Sequence, residues 1–188
     1  MIGSEKEIEM LKNGAVGVMP TDTIYGLVAS AFFRRAVERI YELKSRDYDK
    51  PFIILLSSID DLKRFEIEIE DSIKNKLMEF WPGPVSVVLP CHSLEYKYLH
   101  RGGGALAFRV PADKDLRDFI SGTGPLVAPS ANPQGGAPAE NIEDVKKYFG
   151  ASVDFYIDGG ELKGDPSTLI KFGEDGIEIL RQGDYRIK

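Results

Sequence analysis

Pro20-Thr21-Asp22-Thr23-Ile24-Tyr25-Gly26 is the stretch on which the fold turns, and the apolar run Ala15 to Met19 leads straight into it. The run has the length and continuous hydrophobicity of a buried strand, and the turn after it gathers hydroxyls, a carboxylate, a phenol and a glycine. Polar groups at the end of a core strand need partners. In open α/β sheets the crevice beyond the carboxyl ends of the strands is the usual ligand site, which makes this turn a candidate site wall. Thr21 and Asp22 have equally the chemistry of a cap for a helix that follows.

The flanking pattern alternates helices with apolar runs. Ser4 with Glu7 has the form of a capping box before the amphipathic edge Ile8 and Leu11, and Gly14 ends that helix. Phe33, Ala36, Val37, Ile40, Tyr41 and Leu43 recur at helical spacing and deliver Lys44, Ser45 and Arg46 at the helix C-terminus, where cations complement the dipole. Phe52 to Leu56 reads as a buried strand with Lys50 just before it. Ser57 or Ser58 caps a short helix through Leu62, and a further helix runs from Asp71 to Phe80 until Trp81, Pro82, Gly83 and Pro84 stop it. Val85 to Leu89 and Ala105 to Val110 read as strands, joined by a segment whose glycines, Gly102 to Gly104, suggest a mobile loop. Asp113 to Ile120 reads as a helix, Leu126 to Ala128 as a strand, and Asn141 to Phe149 as a helix closed by Gly150. Val153 to Ile157, Ser167 to Ile170 and Ile177 to Leu180 complete the expected strands.

Length and composition bound the function. A chain of 188 residues, 43% of them hydrophobic, can bury one proper core, and no repeat or linker divides it. One domain over residues 1–188 is therefore expected, with no additional C-terminal domain. The net charge of −6 disfavours a nonspecific polyanion binder. The single cysteine, Cys91, allows neither a disulfide framework nor a multi-cysteine zinc site within one chain. The N-terminus lacks the apolar core of a signal peptide and no run reaches membrane-spanning length, so a cytoplasmic protein without a membrane partner is expected.

Polar residues at strand ends make the candidate site: Thr21, Asp22, Thr23, Lys44, Arg46, Lys50, Arg109, Ser130, Asn132, Ser167 and Arg181. Arg109 interrupts the apolar run Ala105 to Val110 and needs either a carboxylate or an anionic ligand, because an unpaired buried charge costs several kcal/mol. Pro129 to Pro138 is too rich in Pro, Gly and small polar residues for helix or strand, and its amides and hydroxyls suit an anion-cradling loop as well as a plain surface turn. If the cations converge, they form a pocket for a compact polyanion such as a nucleoside triphosphate. There is no Walker run and no dinucleotide fingerprint. Cys91 and His92 are adjacent, so in an extended chain they point to opposite faces and make a poor nucleophilic pair. Positioning and charge neutralisation, the logic of nucleotidyl transfer, is the chemistry that remains.

The blocks Pro20 to Gly26, Lys44-Ser45-Arg46 with Lys50-Pro51, Trp81 to Pro84, Phe108-Arg109-Val110-Pro111, Ser130-Ala131-Asn132, Ser167-Thr168 and Leu180-Arg181-Gln182-Gly183 together resemble the YrdC-like family. Its members include short threonylcarbamoyl-AMP synthases, and the similarity runs over essentially the whole chain in the same order. The resemblance implies an α/β fold, a single domain with a twisted mixed β-sheet flanked by helices around a deep basic concavity. It also implies a nucleotidyltransferase reaction in which L-threonine, bicarbonate or carbon dioxide, and ATP give L-threonylcarbamoyladenylate and pyrophosphate. Mg²⁺ would ride on the ATP phosphates with no protein metal ligands. The product would pass to downstream proteins that transfer the threonylcarbamoyl group to tRNA.

By the same resemblance, Thr23, Arg109, Ser130 and Ser167 would face threonine, and Lys44, Arg46, Lys50, Asn132 and Arg181 the nucleotide, with Lys44, Arg46 and Lys50 closest to the chemistry. The chain departs from the family pattern at Asp47, where Pro is common, at Gln134, where Ser is common, and at Ala105, where a hydroxyl is common. An RNA-binding module of the same fold is one alternative, and weak RNA binding would accompany it, although the net charge and the lack of aromatics interleaved with the cations argue against it. A carbamoyl-transfer module of the same fold is another. The large proteins that carry it also have zinc fingers, which one cysteine cannot supply.

Overall fold

The computed structural model describes residues 2–173 and 176–187. Helix α1 (Glu5–Lys12) starts at the expected capping box, with Ser4 N donating to Glu7 Oε2 at 2.8 Å. Strand β1 (Gly17–Pro20) ends at the turn, and the turn then reverses the chain into β2 (Tyr25–Ser30), paired antiparallel with β1. No helix follows for Thr21 and Asp22 to cap. All 6 residues of β2 are buried, but Gly26, Ala29 and Ser30 dilute the apolar run that would have marked it in the sequence.

Helix α2 (Arg34–Lys44) ends at Ser45 in the left-handed region, which turns the chain sharply toward β3 (Ile53–Leu55). A 3-10 segment from Ile59 to Phe65, capped by Ser58, and helix α3 (Asp71–Met78) lead to β4 (Val85–Pro90). The short helix α4 (Lys97–His100) then precedes β5 (Ala105–Arg109), where the sequence pattern suggested only a loop. Helix α5 (Lys114–Thr123) is capped by Asp113, whose side chain accepts from Leu116 N, and leads to β6 (Leu126–Val127). Helix α6 (Ile142–Phe149), capped by Asn141, is followed by β7 (Phe155–Tyr156), β8 (Thr168–Gly173) and β9 (Gly176–Arg181).

Among the described residues the strands form a 9-stranded sheet in the order β7-β1-β2-β6-β3-β5-β4-β8-β9. Its pairings are mixed: β7 on β1, β3 on β5 and β4 on β8 are parallel, and the others are antiparallel. The period of two divides the core between the faces. Val18, Leu27 and Ile54 pack with Val37, Ile40 and Tyr41 of α2 and Val145 of α6. Their neighbours Met19, Val28 and Leu55 pack with Leu11 of α1 and Leu116 and Ile120 of α5. The expected single mixed α/β sheet flanked by helices is therefore what forms. Among the described residues no helix is long and apolar enough to cross a membrane.

Candidate functional site

The register carries one row of side chains across the sheet on the face that α1 and α5 partly cover. Met19 pairs with Gly26, Ile53 with Ala107, Leu55 with Arg109, and Ser86 with Leu169. Along this row Gly26, Ala107 and Ala128 are too small to fill the space beyond the two helices. A cavity of about 190 Å³ results, and Thr21, Thr23, Arg46, Arg109, Ser130, Ser167 and Arg181 stand in its walls. A larger groove of about 710 Å³ lies between Glu66–Glu70 and Cys91–Ser93, but its lining is acidic and apolar and includes none of these residues.

The turn after β1 is held from within. Thr21 Oγ1 donates to Ile24 O at 2.6 Å and lies 3.1 Å from Thr23 Oγ1, which fixes the hydroxyl of Thr23 at the cavity wall. Asp22 points the other way. Its Oδ1 accepts from Arg109 Nη1 at 2.5 Å and its Oδ2 from Ala112 N at 2.9 Å. Of the two partners open to it, Arg109 thus finds the carboxylate, on the turn after β1. The pair is almost wholly buried, with side chains 5% and 7% exposed. Burial pushes the Arg109 guanidinium down and Asp22 opposes that. The Nε of Arg109 keeps no partner. An orphaned buried donor beside a cavity is a place for an acceptor oxygen.

Arg181 reaches the cavity through an irregularity. Pairing of β8 with β9 runs regularly from Gly173↔Gly176 to Ile170↔Ile179, then Leu180 is skipped and Arg181 faces Leu169. A bulge of this kind re-aims the next side chain. Here it brings Arg181 beside Leu169 in the cavity wall, where its Nη2 donates to Ser167 O at 2.8 Å. Burial, and then the cations Arg109 and Arg46, hold its guanidinium below the usual arginine range, so the three charges sense one another. Ser167 Oγ also meets Ser86 Oγ at 2.8 Å. Ser86 was missed in the sequence, where a lone hydroxyl inside Val85 to Leu89 was the available signal.

Lys44, Lys50 and Asn132 do not line the cavity. Lys44 is 2% exposed, and its Nζ donates to Ser130 O at 2.5 Å and to Asn132 O, pinning the Ser130-Ala131-Asn132 loop from behind. Burial, with the charge of Arg46, pushes its ammonium down to about 8. Asn132 closes the loop by donating from Nδ2 to Pro133 O and Gly136 O at 2.9 and 2.7 Å, while its Oδ1 is buried without a partner. Lys50 lies at the surface against Asp47 at 2.5 Å. The departures at Asp47 and Gln134 prove to be one feature. Asp47 N donates to Gln134 Oε1 and Gln134 Nε2 to Asp47 Oδ2, each at 3.0 Å, which ties the loop after α2 to the loop after β6.

The cavity can therefore offer three guanidinium groups and a set of hydroxyls to a small anionic ligand. Among the described residues no group of three His, Cys, Asp or Glu could hold a metal ion. Cys91 is buried with its Sγ on Phe65 O, and burial raises its thiol pKa. His100 Nδ1 accepts from Gly102 N and Gly104 N at 3.1 and 3.3 Å, so the glycine run is a hydrogen-bonded turn around an imidazole.

Comparison with known proteins places the chain. A threonylcarbamoyl-AMP synthase of Pyrococcus abyssi is 34% identical over 175 residues, covering 92% of this chain and 52% of the relative, so the chain spans about half of that protein's length. A threonylcarbamoyl-AMP synthase of Marinobacter nauticus is 34% identical over 161 residues, 84% of each chain. The crystal structure of P. abyssi Sua5 complexed with L-threonine superposes with a TM-score of 0.87 at 33% identity, over 95% of this chain and 53% of that one. The Sua5/YciO/YrdC family model, described as telomere recombination, matches residues 9–183, and the chain belongs to that family.

Proposed function

We propose that this chain is an L-threonylcarbamoyladenylate synthase, a nucleotidyltransferase that converts L-threonine, bicarbonate or carbon dioxide, and ATP to threonylcarbamoyl-AMP and pyrophosphate. The observation that carries the reading is the meeting of Arg46, Arg109 and Arg181 with Thr23, Ser130 and Ser167 around one cavity. The synthase relatives support it, and the Sua5 complex supports threonine as the amino acid. The threonine carboxylate would take the free Nε of Arg109, and the hydroxyls of Thr23 and Ser167 would orient its amine and side chain. The amine attacks carbon dioxide, or bicarbonate with loss of water, and yields a carbamate. A carbamate oxygen then attacks the α-phosphorus of ATP and the bond to the β-phosphate oxygen breaks, releasing pyrophosphate.

Both partners of the second step are anions, so the barrier falls with every fixed positive charge that faces the phosphates. We assign that role to Arg46 and Arg181, with Lys44 shaping the Ser130 loop and Lys50 exchanging Asp47 for a phosphate. Mg²⁺ carried on the ATP phosphates would neutralise further charge. The product would serve threonylcarbamoyl modification of tRNA in the cytoplasm through separate transfer proteins.

The test is incubation with ATP, L-threonine and bicarbonate while pyrophosphate is followed. Threonine-dependent release is expected from the wild type, with a loss of at least about a hundredfold in Arg181→Ala. Release that ignores threonine would sink the synthase reading.

A further inference from the structure

Arg101 lies outside the cavity, at the head of the glycine run, in the left-handed region with φ of 53°. Its side chain is 11% exposed and grips both oxygens of Glu38 on α2, at 2.9 and 3.1 Å. Its guanidinium carbon sits 3.9 Å from the ring centroid of Tyr41 and 5.5 Å from that of Tyr48. Tyr41 in turn stacks on Phe52 with centroids 4.0 Å apart, and the guanidinium of Arg46 lies 5.3 Å from the Phe52 ring. Tyr41 and Phe52 therefore connect an arginine packed on α2 with one in the cavity wall.

A second connection runs through the backbone. Lys50 O accepts from Tyr41 Oη at 3.0 Å and from Arg46 Nε at 3.1 Å. One carbonyl is thus shared between the stacked phenol and the cavity cation. Tyr41, clamped by Arg101, holds that carbonyl in place, and the carbonyl orients the guanidinium fork of Arg46. Long arginine side chains lose much rotamer freedom when fixed, so an Arg prepared in advance needs less ordering when it meets a ligand.

We propose that Arg101 is a positioning residue for Arg46, acting through the Tyr41–Phe52 stack and the Lys50 carbonyl to aim the Arg46 guanidinium at a phosphate in the cavity. The inference rests on the reading of the cavity as a nucleotide site. The turn around His100 belongs to the same device. By accepting from Gly102 N and Gly104 N, the His100 ring fixes the backbone that presents Arg101.

Arg101→Lys keeps the charge facing Glu38 and removes the planar group that stacks on Tyr41. Tyr41→Phe keeps the ring and removes the hydroxyl on Lys50 O. Steady-state kinetics of threonine-dependent pyrophosphate release, ATP titration calorimetry and thermal melts are measured for both and for the double variant. The expected result is roughly a tenfold rise in KM and Kd for ATP in each single variant, an unchanged KM for threonine, and a double variant no worse than the poorer single one.

An active wild type whose Arg101→Lys variant binds ATP normally overturns the positioning role and leaves the synthase reading intact. A variant that loses ATP and threonine affinity alike, in step with a lowered melting point, overturns it as well, since that is general destabilisation. A wild type that neither binds ATP nor releases pyrophosphate overturns the synthase reading first, and the role of Arg101 toward a nucleotide with it.

Discussion

The ammonium of Lys44 is buried behind the Ser130 loop, and that burial makes its contribution to stability depend on pH. Desolvation, helped by Arg46, holds its folded-state pKa at about 8, below the ordinary lysine range of the unfolded chain. As pH rises through about 8 the folded chain releases this proton while the unfolded chain keeps it. The unfolded state then binds more protons, so the stability contributed by this group increases between about 8 and the ordinary lysine value. The neutral amine still has hydrogens for Ser130 O and Asn132 O, so the loop stays pinned. Urea unfolding of the wild type and Lys44→Met across this window should show the wild type gaining relative stability with pH, by at most about 3 kcal/mol. A difference that stays flat would show that Lys44 carries no such penalty. The sequence made Lys44 visible as a cation but not as a buried one, because a helix C-terminus is an ordinary place for a lysine. Arg109 was legible as a charge in need of a partner. Which partner was not, because Asp22 stands 87 positions away in the chain and only the sheet brings them together.

At the scale of elements, the irregular segment between β7 and β8 runs from one edge of the sheet to beside the other. It crosses the turn at Pro20 to Gly26 and is strapped there by Tyr25, whose Oη accepts from Gly159 N and donates to Gly160 O, both at 2.8 Å. Further on, a Cβ at Gly164 would lie 2.3 Å from Thr23 O, a distance no real contact allows. Gly164 has no left-handed backbone requirement, so Gly164→Ala tests the close approach alone. The strap should lift from Thr23, raising KM for threonine about tenfold against a small change for ATP, with a stability loss of about 1–3 kcal/mol. Equal effects on both substrates would contradict this. The strap was not readable from the sequence, because nothing in its composition of glycines and charged residues says what it lies against. Helices with a clear 3.6-residue period were readable at nearly their true bounds, α2 from the period alone and α6 with its Asn141 cap as well. β2 was not, since Gly26, Ala29 and Ser30 dilute its apolar run and its first two residues belong to the turn read as a site wall.

Across the whole molecule, the two edges of the sheet are unlike. The β7 edge pairs over only Gly17↔Phe155 and Val18↔Tyr156, and so short an edge presents little backbone to another chain. The β9 edge is exposed along all 6 of its residues and carries Ile177, Ile179 and Leu180 at 40%, 44% and 44% exposure. Glu178 is engaged across the ladder with Lys171, at 2.9 Å, so it is not a free charge guarding the edge. The same strand must end in the bulge that aims Arg181 into the cavity, which ties its shape to the site. An exposed apolar edge strand is a template for pairing with a further strand, and concentration should reveal it. Ile179→Lys places a charge at the middle of the edge, on a side chain that already faces water, and leaves Arg181 and its bulge in place. Light scattering during slow heating should show aggregation of the wild type beginning at a lower temperature than that of the variant. Pyrophosphate release by the two proteins at room temperature should agree within about twofold, since a surface substitution away from the cavity changes stability by no more than about 0.5 kcal/mol. If both aggregate together, the edge is already guarded by the twist that the bulge imposes, and the tendency of the chain to associate lies elsewhere on its surface.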